Sequence, residues 1–125
     1  MKKIINISDA PKPIAPYSQA ILANGTLYIS GQISIDPYTG NLNNDSIKTQ
    51  TQQIMSNIKA ILKETGMDFS NIVKCSIFLS SMEIYSEVNE VYGNYFPENP
   101  PAREAVAVTG LPKNVDVEIS CIAVK

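Results

Sequence analysis

Ile72-Val73-Lys74-Cys75-Ser76-Ile77-Phe78-Leu79 is a nearly continuous apolar run. Such a run suits a central strand covered on both faces. Outward from it, helices are predicted on either side. From Ser46 to about Thr65, Ile47, Ile54, Ile58, Ile61 and Leu62 recur at helical spacing; Asp45 or Ser46 can cap the start and Gly66 ends it. A second helix is predicted from Glu83 to Tyr95, with Tyr85, Val88, Val91, Tyr92 and Tyr95 along one side and Pro97 as its stop.

Farther out come hairpins. Asn24-Gly25 separates Ala20–Ala23 from Thr26–Ser30, which is the pattern of a tight two-residue turn. Ala102 to Thr109 and Val115 to Val124 flank Gly110-Leu111-Pro112-Lys113-Asn114, and predict a second hairpin. Asp36-Pro37-Tyr38-Thr39-Gly40 reads as a turn. The order is therefore β-β-β-α-β-α-β-β: an α+β fold, with a mixed sheet and both helices on one face in a two-layer sandwich. The other face has no helix to cover it. In the strand after Pro101, Arg103, Ala105, Ala107 and Thr109 share one side, opposite Ala102, Glu104, Val106 and Val108. A face of small residues permits close approach of another chain or a ligand, so a homo-oligomer is expected.

The 125 residues, 44% of them hydrophobic, make one domain over 1–125 with a real core. A net charge of -2 without a basic run argues against nucleic acid as a partner. No stretch approaches the ~20 apolar residues of a membrane span. Lys2 and Lys3 give the positive start of a signal peptide, but Asn6, Ser8 and Asp9 interrupt any apolar run, so a cytoplasmic protein is expected. The chain has no histidine, which removes Ser-His-Asp and Cys-His catalysis and the commonest zinc ligand. No glycine-rich phosphate loop is present. Cys75 and Cys121 each lie in an apolar run and read as reduced, buried thiols. Chemistry is left to carboxylates, arginine, tyrosine, hydroxyls, backbone groups and water, with neither metal nor cofactor.

Arg103 follows Asn99-Pro100-Pro101-Ala102, a stiff, extended entry to a strand. Two readings stand side by side: a fork that holds a carboxylate through parallel hydrogen bonds, or an edge-strand arginine reaching solvent. Glu118 shares a strand face with Asp116 and Ser120, opposite Val117, Ile119 and Cys121. Ile122 and Val124 continue that polar face, which suggests partial cover and makes Glu118 a candidate to orient a water. Tyr17 follows Pro11, Pro13 and Pro16, a segment rigid enough to present a phenol to a cleft, although a ring packed in place is commoner. Gly31 in Ser30-Gly31-Gln32 ends a strand where a ligand can approach the backbone closely.

Pro16-Tyr17-Ser18-Gln19, Ser30-Gly31-Gln32-Ile33, Val88-Asn89-Glu90-Val91-Tyr92, Pro101-Ala102-Arg103, Leu111-Pro112-Lys113 and Val117-Glu118-Ile119 together resemble the successive motifs of the reactive intermediate deaminase (RidA/YjgF) family, in order and across essentially the whole chain. The resemblance implies a chorismate-mutase-like fold of six strands and two helices, assembled as a homotrimer with clefts between subunits. It implies hydrolysis of 2-aminoacrylate-type enamines and their imine tautomers, 2-iminopropanoate and 2-iminobutanoate, to 2-keto acids and ammonia. Arg103 then matches the carboxylate-binding arginine and Glu118 the water-orienting glutamate, while Tyr17, Ser30, Gly31 and Asn89 match positions lining the cleft. Glu104 and Ala105 depart from the pattern, where many relatives carry serine and some cysteine. Two other roles compete with the hydrolase: a regulatory module that binds small carboxylates without turnover, and the ribonuclease or chaperone activity attributed to some relatives.

Overall fold

The computed structural model describes residues 1–125. Six strands, β1 (Lys2–Ile5), β2 (Ala20–Ala23), β3 (Thr26–Gln32), β4 (Ile72–Leu79), β5 (Ala102–Ala107) and β6 (Val117–Val124), form one sheet in the order β1-β2-β3-β6-β4-β5. Two helices, α1 (Ile47–Glu64) and α2 (Tyr85–Gly93), cover one of its faces. The expected α+β architecture and order of elements are what is found. No helix is long and apolar enough to cross a membrane.

Local chemistry explains the element boundaries. Asn24 and Gly25 both take positive φ, 51° and 77°, as a tight hairpin turn demands, and β2 pairs antiparallel with β3 through Ala23 and Thr26. Ser46 caps α1 by accepting from the Thr49 amide at 3.0 Å, and Gly66 leaves the helix at φ 72°. The buried stripe of α1, with Ile54, Met55, Ile58, Ile61 and Leu62 at or near zero exposure, packs with Leu27, Ile77 and Ile119 of the sheet. α2 is shorter than the predicted Glu83–Tyr95. A 3-10 turn at Met82–Ile84 precedes it, and beyond Gly93 the amides of Tyr95 and Phe96 bond three residues back until Pro97, which has no amide to offer.

Three expectations are corrected. There is no β5–β6 hairpin. The β4-α2-β5 crossover lays β5 parallel to β4 at the sheet edge, and the chain then returns past Ser80 to insert β6 between β3 and β4, antiparallel to both. Secondly, β4 is covered on one face only. Cys75, Ile77 and Leu79 are buried under the helices, whereas Lys74, Ser76 and Phe78 lie half-exposed on the bare face. Thirdly, the uncovered side of β5 is not the Arg103 side. Register pairs Arg103 with Cys75 and Ala105 with Ile77, so both face the helical layer, and Ala102, Glu104 and Val106 stand on the bare face.

Ile58 is fully buried at the middle of α1. Ile58→Ala should lower the unfolding free energy by roughly 2–5 kcal/mol, read from denaturant unfolding at fixed protein concentration; a loss below about 1 kcal/mol would contradict this packing.

Candidate functional site

The residues singled out from sequence fall into two groups on opposite sides of the sheet. The first surrounds Glu118. A pocket of about 340 Å³ is lined by Ile14, Ala15, Tyr17, Gly31, Pro112 and Glu118, together with Ile33. Glu118 is the second residue of β6 and points to the bare face, half-buried, while Val117 and Ile119 enter the core. Its position is set from below. Gln50 donates to the Asp116 carboxylate at 2.9 Å and accepts from the Asp116 amide at 3.1 Å, and Ser80 donates to the other carboxylate oxygen at 2.7 Å. Asp116 is thus an anchor hydrogen-bonded at both carboxylate oxygens, not part of a solvated acidic face.

Gly31 makes the room. β3 gains one residue against β6 between Ile29 and Gln32, a bulge that takes Ser30 and Gly31 out of the ladder. A Cβ on Gly31 would lie 2.5 Å from Glu118 Oε2, so only glycine lets the carboxylate sit there. Ser30 serves the same region differently: its hydroxyl donates to the Ser18 carbonyl at 2.6 Å, tying β3 to the Tyr17 segment. That segment is held further by buried Gln19, whose side chain accepts from the Ile7 amide at 2.7 Å and donates to the carbonyls of Ile7, Ala10 and Pro11. The result is a fixed proline-rich arm that leaves Tyr17 43% exposed at the pocket, with its phenol accepting weakly from the Ile14 amide at 3.4 Å.

The second group surrounds Arg103. Pro100 and Pro101 deliver the chain to the edge strand β5, and the half-buried guanidinium turns toward α2. Nη1 donates to Asn89 Oδ1 at 2.7 Å and Nη2 to the Tyr85 hydroxyl at 3.0 Å. The guanidinium carbon lies 5.0 Å from the Tyr92 ring centre and 5.6 Å from that of Tyr85. Tyr85, Asn89 and Tyr92 recur at helical spacing on α2, so one helix face builds the whole cradle. Tyr85 and Tyr92 read from sequence only as an apolar stripe. Their spacing around Asn89, facing a strand that carries an arginine, was the available signal.

The two ion pairs of the chain, Lys48–Glu90 at 3.0 Å and Lys74–Glu104 at 2.8 Å, involve neither Arg103 nor Glu118. The guanidinium is held entirely by neutral groups, and burial alone pushes the Glu118 carboxyl above its ordinary value. The structure brings Tyr17, Gly31 and Glu118 together, and Arg103 and Asn89 together. It does not join the two groups within one chain. They lie on opposite faces, two strands and three residues apart, about 14 Å between Cα atoms by sheet geometry. Cys75 and Cys121, opposite each other on β4 and β6, are free thiols in the core with sulfurs 3.4 Å apart. The hydrogen bond with the Cys75 thiol, and then burial, raise the Cys121 thiol, which does not suit it to nucleophilic work.

Sequence and fold both have known relatives. The Endoribonuclease L-PSP family profile matches residues 7–125. A Pyrococcus horikoshii protein described as a RutC family protein is 50% identical over 125 residues, all of this chain and 99% of that one. The Bos taurus protein named 2-iminobutanoate/2-iminopropanoate deaminase is 45% identical over 125 residues, covering all of this chain and 91% of its own. The crystal structure of E. coli TdcF with bound serine superimposes with a TM-score of 0.94 at 34% identity, over 98% of each chain.

A carboxyl raised by burial favours the folded state when protonated. That contribution is complete below its unfolded value and is lost as pH rises through the folded one. Glu118→Gln should therefore gain thermal stability relative to the natural chain as pH rises from about 4 to about 7. A difference in Tm that does not change with pH would contradict the desolvated carboxylate.

Proposed function

The chain belongs to the RutC/RidA family, and on that premise we propose that it hydrolyses 2-imino acids, with their enamine tautomers, to 2-keto acids and ammonia. The observation that carries this reading is the guanidinium of Arg103, fixed by Asn89, Tyr85 and Tyr92 and lacking any carboxylate partner. A cation oriented by neutral groups is prepared for an anion that arrives from outside. The carboxylate of a small imino acid fits it, and the amino acid bound in the E. coli relative is of the same chemical kind.

Arg103 holds that carboxylate through charge-assisted hydrogen bonds worth about 1.5–3 kcal/mol each. Glu118 takes a proton from the water that adds to the iminium carbon and returns it to the nitrogen of the resulting carbinolamine. The C–N bond then breaks as Glu118 accepts the remaining hydroxyl proton, so the carbon becomes a ketone and ammonia leaves, to be protonated to ammonium by that last proton. The iminium carbon is already electrophilic, so the chain needs no nucleophilic side chain. Burial raises the Glu118 carboxyl toward the operating pH, where it serves better both as base and, once protonated, as acid. A thousandfold acceleration asks for only about 4 kcal/mol, within reach of positioning alone.

The reaction requires both groups of residues, and one chain keeps them on opposite faces. We therefore assign the site to a homotrimer, with Arg103 from one subunit and Glu118, Tyr17 and Gly31 from its neighbour, in a cleft where Ser30 braces the wall. Two features support this. β5 is an edge strand, open to a neighbour. The bare sheet face exposes Ile4, Tyr28 and Val106, at 56%, 50% and 43%. The endoribonuclease name of the family profile is the weaker guide here, because the net charge of -2 disfavours a polyanion.

A threonine dehydratase assayed with and without the protein tests the reading. The protein should speed keto-acid appearance, and Arg103→Ala should abolish that gain with fold and oligomer intact. Arg103→Lys should restore little, since a point charge cannot reproduce the fork. Unchanged keto-acid appearance with the natural chain would leave a binding module; full activity in folded Arg103→Ala would end the mechanism.

A further inference from the structure

Of the groups beside Arg103, Tyr85 is the one at the surface, and its hydroxyl proton is uncommitted; the Tyr92 hydroxyl is also unpaired but buried. The Tyr85 oxygen accepts from Nη2 at 3.0 Å, and the hydroxyl donates to no protein group. Asn89 meets the guanidinium with its carbonyl oxygen and is less exposed than Tyr85. Tyr85 opens α2, is 37% exposed, and stands at the mouth of the cradle, while Tyr92 lies buried beneath it. A phenol that accepts from a cation is polarised, and its outward O–H becomes a better donor.

We propose that Tyr85 is a further binding residue of the site: its hydroxyl donates to the substrate carboxylate that Arg103 holds. This rests on the reading of Arg103 as the carboxylate anchor and adds to it. The anion then meets the free N–H groups of the fork and one neutral donor at its edge. The phenol is suited to this because it offers a single O–H donor and its ring already faces the guanidinium. The arrangement favours planar carboxylates small enough to enter between the fork and the ring. It gives no advantage to ligands lacking an anionic acceptor.

Two substitutions separate the hydroxyl from the ring. Tyr85→Phe keeps the stacking surface and removes only the donor, while Tyr85→Leu removes both. Binding of 2-oxobutanoate, the stable keto-acid product, is measured by calorimetry. Turnover is followed on imine generated from L-2-aminobutanoate by an amino-acid oxidase. Tyr85→Phe should weaken 2-oxobutanoate binding roughly tenfold or more and raise the KM for the imine by a similar factor, the loss falling on KM more than on kcat, with Tm unchanged, as befits an exposed side chain. Tyr85→Leu should bind more weakly still. Natural affinity in Tyr85→Phe would overturn the inference, whatever Tyr85→Leu does, because the ring alone would then account for the residue. A natural chain that neither binds the keto acid nor turns over imine would overturn the Arg103 reading and this one together.

Discussion

β6 is the strand on which the rest of the molecule depends. It is paired along its length with β3 on one side and β4 on the other, and a period of two fixes what each face receives. Val117, Ile119, Cys121 and Ala123 enter the core beneath the helices; Glu118, Ser120 and Ile122 face away. A slip of one residue would bury the carboxylate and expose the core, so the register is strongly held. The Gln50–Asp116–Ser80 network holds it at the point of entry, one turn of pleat before Glu118. The bulge in β3 then opens the space that the carboxylate occupies, and Gly31 keeps it open.

The same pairing separates the two charges of the proposed reaction. Arg103 sits opposite Cys75 and so belongs to the helical side, while Glu118 sits opposite Phe78 and belongs to the bare side. Had they met within one chain, each would have neutralised the other, and Arg103 would have had no valence left for a substrate. Kept apart, the guanidinium relies on an amide oxygen, a phenol and two aromatic faces, and the carboxylate on partial burial. In the proposed trimer a substrate joins them. Chemistry with so electrophilic a carbon asks little more of a chain that contains no histidine.

Much of this was legible in the sequence, for definite reasons. The α1 stripe, the Asn24-Gly25 turn and the alternation around Glu118 are local patterns, and local patterns survive folding. The β5–β6 pairing was misread because a short loop with glycine and proline looks the same whether its strands pair directly or admit β4 between them. Exposure of the Arg103 side was misread for a related cause. Small residues at Ala105 and Ala107 say that something approaches closely, but which layer approaches is decided by the register with β4, a long-range choice. Tyr85 and Tyr92 share a helical spacing with Asn89, but that the face they form meets an arginine is decided by the parallel pairing of β5 with β4.

The central claim is that one site takes Arg103 and Glu118 from different subunits, and subunit mixing tests it most directly. Arg103→Ala and Glu118→Ala proteins, each inactive, are unfolded together in equal amounts, refolded, and the mixed oligomers isolated. If the two residues come from neighbouring chains around a closed ring, random assembly leaves roughly a quarter of the sites whole, and about that share of natural activity returns. Activity that stays at background in verified mixed oligomers would contradict the shared site.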